Sequence, residues 1–560
     1  MSRKTIYTLT TLLTTLTLAT LACGLGTRIE NQAPTQKYEP LPEVEYPVEE
    51  EYVSPKEEYV SPKTEGDDAS AGVVREAEEL SEAPAVSMPS PTSMPPITQP
   101  NDESYPDMFF ENYGINPFID TEDDHYSTFA LDVDTGSYSL ARSYLNRGVI
   151  TDKDAIRVEE FVNYFKQGYS YPSERETFTI HLDGGPAPFT ENNRYQMLRV
   201  GVQGYAVDPE DRKDVSLTFV IDVSGSMNME NRLELVKRAL ELLVEQLGPR
   251  DQVSIVVYGS TAHTILEPTR GSEYGTIMEA IRALQPEGST NAEAGLRVGY
   301  EQALRAFNPH GINRVILCSD GVANVGNTGA ESIWEQISAY ASEGITLTTI
   351  GFGMGNYNDV LMEQLADNGD GFYAYVDTLK EAENLFVENL TSTLQAIAMD
   401  AKIQVEFNPE VVARYRLVGF ENRAIADESF RDDRVDAGEI GAGHSVTALY
   451  EIKLQEGAQG RIASVFLRWE NPDTHRVEEI NQNITVDNLA DSFHKASPYF
   501  QWAVIVAEFA EILRESYWAQ DSSLADILEE AQWVSWYLDE NSDTHEFIEM
   551  VRQAQMLVEY

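Results

Sequence analysis

The chain has 560 residues, 42% of them hydrophobic and 10% aromatic, so it is too long for one ordinary core and suits about three or four domains. Asp and Glu outnumber Lys and Arg by 93 to 40, a formal charge of −53, which repels phosphate backbones and excludes nucleic acid as a partner. Only two cysteines occur, Cys23 and Cys318. Cores, not disulfides, must therefore hold it together.

Residues 1–22 are expected to be a signal peptide. Arg3 and Lys4 form a basic start, and YTLTTLLTTLTLATLA supplies an apolar stretch too short for a membrane span. The junction Thr20-Leu21-Ala22-Cys23-Gly24 resembles the lipobox of bacterial lipoproteins, with Thr20 where Leu is usual. That resemblance implies lipidation of Cys23 and an exported protein anchored at the cell membrane or cell surface. Residues 23–104 are expected to be a disordered acidic and Pro-rich tether. They hold the repeat EEYVSPKEEYVSPK, and 11 acidic residues against three lysines between Lys37 and Asp68, too polar to bury a core. As a flexible chain this tether spans roughly 50 Å.

Order is expected from residue 105. Within 105–210, STFALDVDTGSYSLARSYLNRG reads as a strand and a helix, DAIRVEEFVNYF as an amphipathic helix, and ETFTIHLDGGP and RYQMLRVGVQGY as alternating strands. Within 211–400 the pattern becomes strand then helix. SLTFVID precedes the helix NRLELVKRALELLVEQLG, VSIVVYGS and AHTILEP form a strand pair, and GTIMEAIRAL and GLRVGYEQALRAF are helices. NRVILCSD, ITLTTIGFG and FYAYVD are apolar strands. Continuous apolar strands between amphipathic helices predict an α/β domain with a mostly parallel sheet covered on both faces.

Residues 401–488 return to strands (KIQVEFN, RYRLVGFE, SVTALYEIKL, RIASVFLRWE), an antiparallel β unit that the strands near 177–205 are expected to complete across the inserted α/β domain. Residues 489–560 are helical; Ser497-Pro498 supplies the start, and Trp502, Ile505, Phe509 and Leu513 share one face.

The working crevice of an open α/β sheet lies beyond the carboxyl ends of its strands. Three segments bring oxygen side chains there: Asp222-Val-Ser224-Gly-Ser226, Gly288-Ser289-Thr290-Asn291 and Cys318-Ser319-Asp320-Gly321. Two carboxylates with neutral hydroxyls, and no His or Cys suited to binding at the centre, fit Mg²⁺ first, then Mn²⁺ or Ca²⁺, and argue against Zn²⁺ or copper. Two carboxylates just neutralise a divalent ion. The loaded ion therefore keeps an appetite for an outside carboxylate. Helix capping explains any one of these serines or threonines, but not all three segments together.

This arrangement closely resembles the metal-ion-dependent adhesion site of von Willebrand factor type A (VWA) domains, whose pattern is DxSxS, then Thr, then Asp. Asp222, Ser224, Ser226, Thr290 and Asp320 occupy its five positions. The resemblance implies a Rossmann-like domain in which the Ser and Thr hydroxyls bind the metal directly, the aspartates act largely through water, and a protein ligand completes the shell. STFALDVDTGSY, IRVEEFVNYF, GNYNDVLMEQLADNGDGFYAYVD, VEFNPEVVARYRLVGFENR and DAGEIGAGHSVTALYE extend the likeness to the bacterial YfbK-like VWA proteins from about Ser127 to the C-terminus.

Other readings compete. DVDTGSY (Asp132 to Tyr138) echoes DVSGSM, but its Gly comes one place early for an EF-hand loop and the twelfth-position Glu is missing, so a turn and helix start is expected there. Gly351-Phe-Gly353-Met-Gly355 has the wrong spacing for a dinucleotide loop and reads as a tight turn. A serine hydrolase using Ser224 or Ser226 with His263 lacks a GxSxG elbow. The expected role is thus not enzymatic: an exported protein binding a protein carboxylate through a cation, with a scaffold for envelope assembly as the alternative.

Overall fold

The computed structural model describes residues 110–558 apart from 174, 190–194, 209, 321–332, 334–337, 339–343, 354–358 and 540–541. The expected signal segment, Cys23 and the tether of 23–104 lie outside the described residues. No helix among the described residues is long and apolar enough to cross a membrane.

The first ordered stretch supplies β1 (Ile119–Asp120), β2 (Tyr126–Ala130), the helices α1 (Gly136–Asn146) and α2 (Val158–Asn163), then β3 (Phe178–Pro186) and β4 (Tyr195–Gly204). The chain next enters the α/β layer with β5 (Val215–Asp222), α3 (Arg232–Glu245), β6 (Gln252–Tyr258), β7 (Ala262–Arg270), α4 (Tyr274–Arg282), α5 (Ala292–Arg305), β8 (Ile312–Ser319), β9 (Thr346–Phe352), α6 (Asp359–Asp367) and β10 (Tyr373–Val376). Every residue of β5 is buried, its polar Ser216 and Thr218 included, as befits a central strand covered on both faces. The sheet order is β10-β9-β8-β5-β6-β7, parallel except for the antiparallel β6–β7 hairpin. Two cores flank it. One is built on Leu217, Phe219 and Ile221 with α3, the other on Val220, Val256 and Tyr258 with α5.

The α/β strand run leaves β10 through α7 (Leu379–Glu383), a π-helical turn (Asn384–Glu388) and α8 (Leu390–Leu394). The chain then builds β11 (Ala396–Phe407), β12 (Val412–Val418), β13 (Gly438–Gly441), β14 (Ser445–Leu454), β15 (Arg461–Asn471) and β16 (Arg476–Thr485). Here sequence neighbours and sheet neighbours part company. β4 pairs antiparallel with β14 across the whole α/β insertion, from Ser445 opposite Gln203 to Lys453 opposite Tyr195. One sheet reads β1-β12-β14-β4-β3, and the other β13-β11-β15-β16 with β2 on β11. Phe129, Val200, Val405, Tyr450 and Val465 fill the space between them. The strands near 177–205 therefore join β12 and β14 in one sheet of a sandwich whose other sheet is built mostly from strands after 396.

The tail forms α9 (Pro498–Leu513), α10 (Leu524–Val534) and α11 (Ser542–Val558). With α1 and α2 they make a fourth core, in which Trp502, Phe509 and Phe547 meet Tyr138, Phe161 and Phe165. The Trp- and Leu-rich stripe is spent on packing.

Candidate metal centre

β5 and β8 run side by side with Ile221 opposite Cys318. The two strands consequently deliver Asp222 and Asp320 together to the carboxyl edge of the sheet. Thr290 arrives from the loop before α5, and backbone hydrogen bonds stitch that loop to the one after β5. The Val223 carbonyl accepts from Glu287 N, and Gly225 N donates to the Gly288 carbonyl at 3.0 Å. The loop after β6 clamps both: Val223 N donates to the Tyr258 carbonyl and Asn291 N to the Gly259 carbonyl. Gly259 has to be glycine here, because a Cβ would lie 2.1 Å from the Glu287 carbonyl oxygen.

Asp222, Ser224, Thr290 and Asp320 are buried, while Ser226 is partly open and Gly225 and Ser289 are exposed at the mouth. Oδ1 of Asp222 accepts from Ser224 N at 2.7 Å, and its Oδ2 from the Ser319 hydroxyl at 3.1 Å. The Ser224 and Ser226 hydroxyls lie 2.9 Å apart. Oδ2 of Asp320 accepts from Arg232 Nη1 at 2.9 Å, whereas its Oδ1 is buried with no hydrogen-bond partner among the described residues. Burial, and then the charge of Asp320, push the Asp222 carboxyl up to about 7. Burial raises Asp320 as well, with Ser226 and Arg232 pulling the other way. Two buried, mutually repelling carboxylates are costly without a cation.

Capping does not account for these hydroxyls. Ser224 precedes a 3-10 turn (Gly225–Asn231) without a capping bond, and α5 is capped by Asn291, whose Oδ1 accepts from Ala294 N at 3.0 Å. Nor is a nucleophile assembled: His263 is exposed on β7, and among the described residues no hydrogen bond is recorded between it and Ser224 or Ser226.

Three family models match along the chain: "von Willebrand factor" over residues 104–199, "von Willebrand factor type A domain" over 216–388, and "Uncharacterized protein YfbK, C-terminal" over 392–557. "Uncharacterized protein YfbK" of Escherichia coli (strain K12) is 33% identical over 503 residues, 85% of this chain and 85% of that one. The chain belongs to the YfbK family of VWA proteins. Inter-alpha-trypsin inhibitor heavy chain H3 of Homo sapiens is 26% identical over 306 residues, half of this chain and 33% of that protein. Among solved structures, a von Willebrand factor type A protein from Catenulispora acidiphila covers 69% of the chain and is itself covered to 91%, at 14% identity and a TM-score of 0.41.

VWA domains commonly bind a divalent cation, and the residues of this YfbK-family member fit one. The donors are hard oxygens, the two carboxylates would offset the charge of a divalent ion, and the Asp320 Oδ1 lacks a partner among the described residues. The echo motif differs. Asp132 Oδ1 accepts from Asp134 N, its Oδ2 from Arg423 Nε at 3.0 Å, and Asp134 Oδ1 from Tyr373 N at 3.1 Å. Arg423 also pairs with Glu363 and Asp367, so this loop is a buried ionic joint between the sandwich and α6. A separate acidic trio, Asp370, Asp436 and Glu439, places its oxygens within 4.8 Å of one another; burial and the neighbouring acids push Asp436 up to about 6. Sequence reasoning placed Ser319 at the crevice without its bond to Asp222, and missed Arg232 as a neighbour of the site. Only Ser319 carried a signal, its place between Cys318 and Asp320.

Proposed function

We propose that this VWA domain holds a divalent cation, Mg²⁺ first and Mn²⁺ or Ca²⁺ next, and presents it to a carboxylate of a protein partner. Ser224, Ser226 and Thr290 would bind it directly, with Asp222 and Asp320 acting largely through water. The cation would supply Lewis acidity toward an anionic oxygen, and the chain's part is to hold neutral hydroxyls and two carboxylates at the mouth. The observation that carries this reading is that adjacent strands β5 and β8 end on two buried carboxylates, Asp222 and Asp320, with the Ser224 and Ser226 hydroxyls in the loop that follows β5 and Oδ1 of Asp320 without a hydrogen-bond partner among the described residues. The product is a contact, not a reaction. Export and a lipid on Cys23 belong to the same proposal; they rest on the N-terminal sequence, and would place the domain at the cell membrane or cell surface on an acidic tether.

Asp222→Ala tests the site directly. Mg²⁺ is expected to raise the melting temperature of the wild-type chain and to leave that of the variant unchanged. A wild-type melt indifferent to Mg²⁺ and Mn²⁺ overturns the reading.

A further inference from the structure

Arg232 opens α3, and its guanidinium sits beside the centre without reaching the mouth. Nη1 meets Asp320 Oδ2 at 2.9 Å, with the Arg side chain 4% and the Asp side chain 1% exposed. The backbone is shaped for this contact. Asn231 takes a φ of +60° where the chain turns into the helix, and Gly353 takes +88°. A Cβ on Gly353 would stand 2.2 Å from Arg232 Nε. The glycine that resembled part of a dinucleotide loop thus makes room for the guanidinium.

Counting charge gives the arginine a role. Asp222 and Asp320 carry two negative charges, which a divalent cation would cancel. Arg232 adds one positive charge that is present at every physiological pH. Without a cation the three groups sum to −1, and with one they sum to +1. At such short range in a poorly solvated site, one charge strongly changes the affinity for the next ion. Arg232 and a cation need not exclude each other, because the arginine takes Oδ2 of Asp320, and Oδ1 has no hydrogen-bond partner among the described residues.

We propose that Arg232 is a resident counter-charge: it keeps the divalent cation weakly held and exchangeable, and leaves the loaded centre net positive, so that it selects an anionic group on the partner. This rests on the metal reading above. The chain contains a contrasting case in the DVDTGSY loop, where Arg423 pairs with both aspartates. Arg232, being buried, acts through Asp320 and is a positioning residue.

The test is titration of the full chain with MnCl₂ at one fixed pH for all variants, followed by calorimetry and Mn²⁺ electron paramagnetic resonance. Arg232→Gln, which keeps a donor and loses the charge, is expected to bind Mn²⁺ at least about tenfold more tightly than wild type. Arg232→Lys, which keeps the charge, is expected to stay within about threefold of wild type. Sodium acetate added to the Mn²⁺-loaded protein should perturb the spectrum of wild type at lower concentration than that of the Gln variant. Equal affinities for the Gln and Lys variants, or weaker binding by Gln, overturn the counter-charge and leave Arg232 a packing residue. Absence of Mn²⁺ binding in wild type and in the Gln variant overturns the metal reading beneath it. Should Arg232→Gln fail to fold, Arg232→Met provides the neutral arm with the same expected outcomes.

Discussion

The guanidinium of Arg142 grips Asp377 with a two-pronged fork, Nε to Oδ2 at 3.0 Å and Nη2 to Oδ1 at 2.5 Å. Arg142 lies on α1, and Asp377 follows the last strand of the VWA sheet. The same group reaches Glu381 on α7 and Glu546 on α11. One buried cation thereby joins the first helix, the exit of the VWA domain and the last helix.

Removing that cation leaves three carboxylates facing one another. Arg142→Met is expected to cost about 3–5 kcal/mol, the usual penalty for breaking a buried ion pair. The loss should be read by hydrogen exchange, as reduced protection of amides in 373–394, alongside a lower melting temperature. Unchanged protection in that segment would show that the fork does not hold the VWA exit.

Gly259 is where the loop before α5 rests on the loop after β6. Gly259→Ala must push the Glu287 carbonyl away, at about 1–3 kcal/mol of overpacking. Because Glu287 N is also bound to Val223, the displacement should separate Thr290 from Asp222. Mn²⁺ affinity is expected to fall by more than about tenfold while the helical signal of the chain persists, as calorimetry and circular dichroism will read.

Burial pushes Glu508 on α9 up to about 7, with the Ser522 hydroxyl pulling it down and Glu511 raising it. The unfolded carboxyl titrates near 4.3. Between these values the native chain binds the extra proton, so this group's stabilisation is complete below the unfolded value and is lost as pH rises toward 7. Glu508→Gln keeps an acceptor for Ser522 and removes the titration. Stability curves from pH about 4 to 8 should lose slope, with the variant gaining about 2 kcal/mol over wild type at the upper end.

Cys318 is fully buried in β8, and burial pushes its thiol far up. Thiolate is the reactive form. Peptide mapping after iodoacetamide treatment of the native chain should find Cys318 unmodified, and labelling should appear only in denaturant. Labelling of the folded chain would mean that β8 opens locally.

Much of the centre was readable in the sequence because its chemistry is local. Asp222, Ser224 and Ser226 share one tight loop, and each partner segment ends an apolar strand or opens a helix. Arg232 escaped notice. Ten residues after Asp222 at the head of an amphipathic helix, it looked like any solvated helix-end charge, and its meeting with Asp320 depends on the register of β5 against β8. Asp132 and Asp134 show the reverse case. Their motif looks like half of a metal loop, and only the arrival of Arg423, some 290 residues later, turns it into an ionic joint.

Periodicity alone determined most of the order of strands and helices, though not β1, β13 or β16, because burial on one face or two leaves a period of two, a period near 3.6 or an unbroken apolar run. The strand-end motifs likewise determined that oxygen side chains would gather at the end of a mostly parallel sheet. The tertiary structure alone decided that β4 pairs with β14 across the VWA insertion, and which arginine answers which carboxylate. Alternation says that a strand has two faces but not which distant strand completes its hydrogen bonds, and ion pairs follow only once those pairings have set the distances.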